Sequence, residues 1–435
     1  IPYNKLMSSD DNNTKKESVS IVIPVMNDWK NLHKIIKLLN SQSYQPAEII
    51  IIDSSSDNEI EDSLNNLTPI VPIKYKRAGR AYPGDRILQK YFSFLLKDKE
   101  YLGRAYPYEA TNIGVNLSTC KWVAFLDTAT MPSKEWLESH IKEIKCNDLD
   151  LVIGQTKYFA DTKFQKFLRA CTYGKFGHET MPGSIIKTSI YKNNFSIREG
   201  VRAGGDIEWR QRVKSKFKWG SSSENFLSYS NLPLDFFSCA KKMFIYQLHS
   251  ARVDIQHTVK DIYLGIFLFL SVIIVPKWNA IVGWESSPLF IPNITKIYLI
   301  SILTLFFFSF LLGRGIFRRI KINPFVSNLI RFSFFILILI VVYRWNAVIA
   351  DWVEDSVWYF PHITKIFVGL VLTVTLFYRG IFFPLTHGIK TRFLFPINWI
   401  FVGGLGILLD IVKAPGYLIG SILSIFVKKL DSAIK

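Results

Sequence analysis

The sequence predicts two parts: an α/β domain built on a mostly parallel sheet with flanking helices, and an all-α transmembrane domain after it. In the first half, short apolar runs typical of strands alternate with stretches whose apolar residues recur at helical spacing. From about residue 262 to 427, Ile, Leu, Phe and Val dominate, and several runs approach the length that a bilayer requires. A chain of 435 residues that is 49% hydrophobic is too long and too apolar for one ordinary soluble domain.

The first predicted strands end at acidic or turn-forming positions. SVSIVIPV, residues 18–25, predicts a strand, and DWKNLHKIIKLLNSQ after it predicts a helix. AEIIIID, residues 47–53, predicts a second strand ending at Asp53, and residues 122–126 predict another that ends just before Asp127. Because parallel strands bring their carboxyl ends to the same edge, we expect both carboxylates at the ligand-binding edge of the sheet.

A later segment, GGDIEWRQR at residues 204–212, predicts a helix that begins behind two glycines. Asp206 lies in its first turn, where the helix dipole favours negative charge, although an acid there is commonly only a cap. Plain structural roles stay open for the other two acids as well, Asp127 as a cap and Asp53 as a turn-forming residue before a serine run. His178 is interpreted as a loop histidine rather than a metal ligand.

The basic composition indicates a membrane rather than a nucleic acid. The formal charge is +18, but the Lys and Arg residues are scattered instead of clustered along one helix. Residues 313–332 hold five basic residues and no acidic one, as is typical of a short cytoplasmic loop. The four cysteines show no paired or metal-like spacing, which predicts reduced thiols. The polar opening, residues 1–17, predicts a flexible tail.

The apolar half, residues 261–428, repeats itself. KWNAIVGWESSP, from Lys277, aligns with RWNAVIADWVED, from Arg344, and each copy is followed by an apolar run and then RGIF. We therefore expect two helical hairpins with Trp-rich loops, which are typical of a membrane interface. The predicted repeat units are about 262–317 and 328–382, and the predicted spans are about 262–276, 297–313, 328–343 and 364–378.

Charge predicts the orientation of these spans. The connections at about 314–327 and 379–394 are basic and acid-free. By the positive-inside rule they lie in the cytoplasm, and so does the α/β domain before the first span, residues 18–230. The sequence therefore predicts a multi-pass protein of the cytoplasmic membrane with its soluble domain on the cytoplasmic side.

Two segments beside the predicted spans are amphipathic or interrupted. Residues 231–260 predict helices lying on the membrane surface, because LDFFSCAKKMFIYQLHS places four residues on one face: Phe237, Lys241, Phe244 and Leu248. The tail after the repeat contains Asp410, Lys413 and an Ala-Pro-Gly sequence inside an apolar run. It predicts a hairpin, a re-entrant segment or an in-plane helix, and an ionisable pair at membrane depth marks a candidate functional feature.

Five segments in this order resemble the family 2 glycosyltransferases with a GT-A fold: VSIVIPVMN, the strand-ending Asp53 with SSSDN, YPYEATNIG, WVAFLDTATMPSKEWLE and GGDIEWRQR. They lie between about residues 18 and 215, roughly half of the chain. Each motif alone is unspecific, but five in the family's order make the resemblance strong. It implies a nucleotide-diphospho-sugar donor bound at the carboxyl ends of a GT-A sheet.

The resemblance assigns donor contacts to residues at the strand ends. Pro24 and Val25 would line the nucleoside pocket, and Asp53 would accept a hydrogen bond from the base. Asp127 would face the ribose and a metal-bound diphosphate. Asn112, in the YPYEATNIG segment, is a further donor-binding candidate.

The resemblance places the chemistry on the GGDIEWRQR helix. Inverting transfer is an in-line displacement assisted by one general base, and Asp206 would deprotonate the acceptor hydroxyl. Glu208 would orient that base, and Arg212 would contact phosphate.

Three positions depart from the family's pattern. The Asp-x-Asp motif reads Asp127-Thr128-Ala129, so one acidic metal ligand is absent, and the family's Ala-Arg-Asn and Glu-Asp patterns carry Thr111 and Gly205 instead. The expected cofactor is Mg²⁺ or Mn²⁺. Loss of the second acid weakens that expectation, although such ions also take ligands from water and phosphate.

Three functions remain open on the sequence. The first is an inverting glycosyltransferase anchored in the membrane, which moves sugar to a lipid-linked or other membrane-proximal glycan acceptor in surface polysaccharide or glycolipid synthesis. The second is a catalytically silent nucleotide-binding scaffold. The third is a processive polysaccharide synthase, which is disfavoured because the Gln-x-x-Arg-Trp element of those enzymes is absent.

Overall fold

The computed structural model describes residues 17–78, 105–221, 225–253, 278–294 and 363–433, together with single positions between 255 and 297. In this part of the chain nine strands form one sheet, in the order β3-β2-β1-β4-β7-β6-β9-β5, and β8 lies beside β6. The strands are β1 Val19–Val25, β2 Glu48–Asp53, β3 Ile73–Arg77, β4 Trp122–Phe125, β5 Thr130–Met131, β6 Leu151–Tyr158, β7 His178–Lys187, β8 Trp219–Ser221 and β9 Leu227–Tyr229.

The first four strands are parallel, as the sequence predicts. β1 lies between β2 and β4, and β3 pairs with the outer edge of β2. Every residue of β2 is buried. Ile49 and Ile51 join the core on one side of the sheet, whereas Ile50 and Ile52 join the core on the other. A strand covered on both faces reads as a continuous apolar run, which is why AEIIIID stands out in the sequence.

The other half of the sheet is mixed, so the sheet is parallel in most of its pairings, as predicted, but not in all of them. β7 pairs antiparallel to both β4 and β6, and β5 pairs antiparallel to β9. A crossover helix packed on the sheet would make β6 and β7 parallel. The helix between them, Lys163–Thr172, packs instead against the C-terminal helix, so the chain returns antiparallel.

Helices cover both faces of this sheet and continue into the apolar half. In chain order the described helices are α1 Trp29–Asn40, α2 Glu59–Asn65, α3 Pro107–Leu117, α4 Trp136–Asn147, α5 Lys163–Thr172, α6 Thr188–Lys192, α7 Gly205–Lys214, α8 Phe236–Ser250, α9 Trp278–Val282, α10 Ile363–Phe377, α11 Phe383–Thr386, α12 Thr391–Leu394 and α13 Asn398–Ala433. The helices α1 and α4 pack on one face of the sheet, and α3 and α7 on the other.

Two helical stretches of the described chain are long and apolar enough to cross a membrane. One runs through α10, a π-helical turn at Tyr378–Phe382 and α11, with its candidate span at Val368–Thr386 and a mean hydropathy of 1.7. The other lies within α13 at Asn398–Ser424, with a mean hydropathy of 1.5. The predicted span at about 364–378 therefore lies in the first of these stretches. The other three predicted spans, and with them the comparison of the two repeat units, lie outside the described residues apart from isolated positions.

The C-terminal tail is one continuous helix, which contradicts the hairpin and the re-entrant segment but agrees with the in-plane helix that the sequence also left open. α13 spans 36 residues with Pro415 in its interior. An interior proline costs a helix about 3 kcal/mol, but tertiary packing can outweigh that cost. Here Gly416 and Gly420 let the backbone of α13 lie directly against α8, since a Cβ on Gly416 would come within 2.7 Å of the Phe244 carbonyl oxygen.

The same helix is attached to the α/β domain along its length. Leu168 and Cys171 of α5 share a buried cluster with Val402 and Leu409 of α13. Near its middle, Asp410 pairs with two cations, Arg379 and Lys413. Arg379 is thus the half-buried member of an ion triad whose other members, Asp410 and Lys413, are buried, although the sequence assigned it to a basic loop.

Candidate active site

The carboxyl ends of β1 and β2 form one side of the site. Val25 lies opposite Asp53 in the parallel ladder, and Pro24 precedes it. Asp53 is fully buried: its Oδ1 accepts the Ser55 amide N–H at 2.7 Å, and its Oδ2 accepts the Tyr75 hydroxyl at 2.9 Å. The turn-forming role left open for Asp53 is therefore present in the fold, and both oxygens have partners within the protein.

The loops after these two strands are tied to each other. Asn27 has a left-handed backbone, with φ of 50°, and its Oδ1 accepts the Ser56 amide at 2.9 Å. The Asn27 amide donates to Ser55 Oγ at 2.8 Å. From β3, Arg77 donates to the carbonyls of Ser55 and Asp57. These bonds hold the space beside Pro24 in a fixed shape.

Asp127 lies two residues after the end of β4, close to where the sequence placed it. Its carboxylate is half-buried and accepts the Ala129 amide at 2.9 Å, a short-range bond like that of a turn cap. The Thr130 hydroxyl donates to the Asp127 carbonyl at 3.1 Å. Removal from water raises the pKa of Asp127, and the hydrogen bonds of Ala129 and Thr130 and the charge of Lys242 offset only part of that effect.

Asp206 lies in the first turn of α7 because of the two glycines before it. Gly204 precedes the helix with φ of 87°, a conformation that favours glycine. A Cβ on Gly205 would come within 2.7 Å of the Tyr108 ring. Without that Cβ, the Tyr108 hydroxyl reaches Asp206 Oδ1 and donates a hydrogen bond of 3.1 Å. The close contact with Tyr108 thus explains why glycine stands at position 205, where the family has glutamate.

A group of tyrosines connects Asp127 with Asp206. We define the tyrosine cluster as Tyr158, Tyr173, Tyr229 and Tyr246. The rings of Tyr158 and Tyr173 stack with centroids 4.0 Å apart, and Tyr229 lies 5.1 Å from Tyr158. Burial raises the pKa of Tyr158, and the negative charges of Asp206 and Asp127 raise it further, so both carboxylates act on one phenol.

Asn112 lies elsewhere, which removes it from the donor-binding set. Its amide donates to the Ile197 carbonyl at 3.0 Å and to Glu199 Oε1 at 2.8 Å, and its Oδ1 accepts the Tyr191 hydroxyl at 2.7 Å. A side chain with all these bonds inside the protein connects α3 to the 191–199 segment. It has a structural role.

Glu208 and Arg212 are brought together with each other but not with Asp206. Two residues along a helix rotate a side chain by about 200°, so Glu208 projects from the side of α7 opposite Asp206. Arg212 donates to both Glu208 oxygens, at 2.8 and 3.1 Å, and to the carbonyls of Asn194 and Ser196. The expected roles of this pair were to orient the base and to contact phosphate. The geometry instead gives the pair a structural role.

Two further residues that the sequence singled out, Thr111 and His178, bond to backbone carbonyls of the protein. The Thr111 hydroxyl donates to the Pro107 carbonyl at 2.8 Å within α3, so it is not directed toward a substrate. His178 begins β7, and its Nε2 bonds to the Tyr173 carbonyl. Within the residues described, no three His, Cys, Asp or Glu side chains are grouped to hold a metal ion.

Comparison with known proteins decides the family. Residues 20–83 and 87–212 match the model described as glycosyl transferase family 2. These residues form a family 2 glycosyltransferase domain. The match covers the strands and helices from β1 to α7, including the positions of Asp53, Asp127 and Asp206. The described sheet and its flanking helices accordingly form a GT-A-like glycosyltransferase fold.

Two curated relatives share this domain. The chain is 26% identical over 209 residues to glycosyltransferase AglE of Haloferax volcanii, covering 45% of this chain and 60% of that protein. It is 24% identical over 223 residues to the chondroitin synthase of Escherichia coli, covering 51% of this chain and 27% of that protein. The chain thus spans less than two thirds of the length of either relative.

Among solved structures, the chain is similar to TarS 1-349 of S. aureus in complex with UDP-GlcNAc. The TM-score is 0.35 with 15% identity, over 59% of this chain and 73% of that one. GT-A glycosyltransferases commonly use a divalent cation, and in this domain Asp127 is the one acid of the usual metal-binding motif that is present.

Two contributors to this site escaped the sequence reasoning. Tyr108 lies inside the quoted YPYEATNIG segment, but nothing in that segment indicates that its hydroxyl meets Asp206. Lys242 lies in the predicted amphipathic segment, where only its neighbour Lys241 was assigned to a face. Both depend on contacts between distant parts of the chain, which local patterns do not encode.

Proposed function

We propose that the protein is an inverting, membrane-anchored glycosyltransferase that moves a sugar from a nucleotide-diphospho-sugar donor to a lipid-linked or membrane-proximal glycan acceptor. The observation that carries the proposal is that Asp53 ends β2 and Asp127 follows β4, both at the carboxyl end of the parallel strands that flank β1, and that Asp206 begins a helix with its carboxylate held by Tyr108. The donor's nucleoside would lie at Pro24, Val25 and Asp53, and its ribose and diphosphate at Asp127.

The proposed reaction is a single in-line displacement. Asp206 takes the proton of the acceptor hydroxyl, the acceptor oxygen forms a bond to the anomeric carbon, and the bond from that carbon to the diphosphate breaks with its electron pair on the leaving phosphate. The hydrogen bond from Tyr108 orients Asp206 and leaves its other oxygen, Oδ2, as the proton acceptor. The Arg210 guanidinium lies 4.0 Å from Oδ2 and also pairs with Glu179.

The two apolar helices and their attachment to the domain support a membrane setting. α13 carries a candidate span and packs directly on α5 and α8, so the domain would lie close to the bilayer surface. Such a position suits an acceptor carried by a lipid, because both substrates then meet at the interface. We propose the cytoplasmic face of the cytoplasmic membrane, where nucleotide sugars are made.

A donor and acceptor screen on detergent-purified protein tests the proposal. With the donor that reacts, Asp206→Asn keeps the shape of the side chain but removes the base, and turnover should fall by about 10²- to 10⁴-fold. Asp148→Asn is the matched control, since Asp148 is 90% exposed on the surface. Full activity of Asp206→Asn would exclude this residue as the base. Nucleotide binding without turnover by any donor would favour a silent scaffold.

A further inference from the structure

Lys242, on α8, is a partly buried ammonium without an acidic partner in the described chain. Its Nζ donates to the Tyr229 hydroxyl at 3.0 Å. It lies 5.4 Å from the centroid of the Tyr229 ring and 5.6 Å from that of Tyr246. Among the residues described, no Asp or Glu oxygen lies within 4 Å of Lys242 Nζ, the distance that defines an ion pair. Burying a cation is costly unless an anion compensates it, so this position is suited to an anionic ligand.

The ammonium is connected through Tyr229 to the turn that follows Asp127. Tyr229, to which it is bonded, pairs across the β5 and β9 ladder with Thr130, which is three residues after Asp127. Burial raises the pKa of the Asp127 carboxyl, and the positive charge of Lys242 is one of the effects that oppose this rise. The cation therefore occupies the neighbourhood in which the proposed function places the donor diphosphate.

The same neighbourhood does not fit a divalent cation well. Asp127 supplies one carboxylate, one of its oxygens already accepts the Ala129 amide, and Ala129 itself replaces the second acid. In the part of the chain that is described, no group of three acidic, histidine or cysteine side chains forms there. An ammonium in the same small space also repels a divalent ion, and such repulsion is strong where water is excluded.

We propose that Lys242 takes the charge-neutralising role that a metal ion has in related enzymes, by binding the donor diphosphate beside Asp127 and stabilising the nucleoside diphosphate as it leaves. This inference rests on the proposed function. When the bond between the anomeric carbon and the phosphate oxygen breaks, its electron pair stays on that oxygen. Lys242 then offsets the added negative charge without transferring a proton.

The apolar half of the chain holds this lysine in place. α8 carries Lys242 toward the tyrosine cluster, whereas Phe244 and Leu248 contact α13 through Gly416 and Gly420. No side chain separates the two backbones at these glycines. The position of the cation is therefore fixed by a helix outside the family 2 domain, which ends at residue 212.

Calorimetric binding of UDP and GDP to the full chain in detergent tests the inference, in EDTA and in Mn²⁺. We expect at least one of them to bind with affinities that agree within about twofold in the two buffers. Lys242→Met should weaken that binding at least tenfold, and Lys242→Arg, which keeps the charge, should retain most of it. Lys142→Met, on an exposed position of α4, is the control and should bind like the wild type.

The outcomes separate this inference from the proposed function. Binding that requires Mn²⁺, with Lys242→Met unchanged, overturns the inference alone. Absence of UDP and GDP binding in both buffers overturns the inference together with the nucleotide-sugar proposal on which it rests. Thermal unfolding shows whether Lys242→Met is folded, and if it is not, the comparison of wild type in EDTA and Mn²⁺ decides. Free Mn²⁺, measured by electron paramagnetic resonance, should not fall when protein is added to a nucleotide and Mn²⁺ mixture.

Discussion

The Tyr108 hydroxyl donates a hydrogen bond of 3.1 Å to Asp206, joining two positions that are 98 residues apart in the chain. Tyr108 belongs to the first turn of α3, and Asp206 to the first turn of α7. Burial and the charge of Asp206 raise the pKa of Tyr108 well above its ordinary value, so the phenol remains a donor across the working pH range. Tyr108 is therefore a positioning residue for the candidate base.

Tyr108→Phe should lower kcat by about 10- to 100-fold, because a hydrogen bond to a charged group contributes about 1.5–3 kcal/mol. The KM for the donor should change little, since the phenol does not lie in the nucleoside pocket. Tyr191→Phe is a matched control: it removes a buried hydroxyl bonded to Asn112, away from Asp206. Steady-state kinetics decide the matter. An unchanged kcat in Tyr108→Phe would show that Asp206 needs no such orientation.

Gly205→Ala should destabilise the domain and reduce kcat together. The added Cβ would lie 2.7 Å from the Tyr108 ring, so the ring must move away from Asp206, and overpacking of this kind costs about 1–3 kcal/mol. Adding Tyr108→Leu should recover part of the stability but none of the activity. Gly404→Ala, with no described atom within 4 Å of the new Cβ, should be neutral or stabilising in thermal unfolding. A neutral Gly205→Ala would contradict the packing described here.

His140 should make the stability of the domain depend on pH. It is fully buried on α4, its Nδ1 donates to the Trp136 carbonyl at 2.8 Å, and burial lowers its pKa to about 4. Because the folded state binds the proton more weakly than the unfolded state, the stabilisation is complete above about pH 6.5 and is lost as the pH falls toward 4. The full loss corresponds to about 3 kcal/mol.

His140→Leu should remove this dependence. Unfolding in denaturant, measured at several pH values from 7 down to 4, should give a shallower decline for the variant than for the wild type. Parallel declines for the two proteins would show that other groups, and not His140, are responsible.

Substitutions of different members of the ion triad in the apolar half should lower the unfolding temperature by different amounts. Arg379 and Lys413 both pair with Asp410, so Asp410→Leu leaves two cations without a partner. Arg379→Met leaves the pair of Asp410 and Lys413 intact. Breaking a buried ion pair costs about 3–5 kcal/mol, and we expect Asp410→Leu to lower the unfolding temperature in detergent more than Arg379→Met does. The reverse order would show that Arg379 and not Asp410 is the centre of the triad.

The sequence predicted the strand ends better than it predicted the contacts between distant segments. Apolar runs identified β1, β2 and β4, and because their carboxyl ends share one edge of the sheet, Asp53 and Asp127 lie where we expected them. The roles of Asn112 and of the Glu208–Arg212 pair were assigned by resemblance alone. Oppositely charged residues four positions apart on a helix commonly bond to each other, and the sequence shows this spacing for Glu208 and Arg212.

The continuity of α13 shows why contacts between distant segments were not predictable from the sequence. An Ala-Pro-Gly sequence locally favours a break, and only the contact of Gly416 with α8 explains why the helix continues past Pro415. That contact joins residues about 170 positions apart, as the bond of Tyr108 joins α3 to α7. Tertiary packing overrides local propensity in both places.

The glycine seam between α13 and α8 has a mechanical consequence. Packed protein interiors are hardly compressible and transmit strain, and at Gly416 and Gly420 the contact between the two helices is made by the backbone itself. In the proposed bilayer, a change of thickness or tilt that displaces α13 would be transmitted to Lys242 almost rigidly. The lipid surrounding this enzyme would then affect its affinity for the donor.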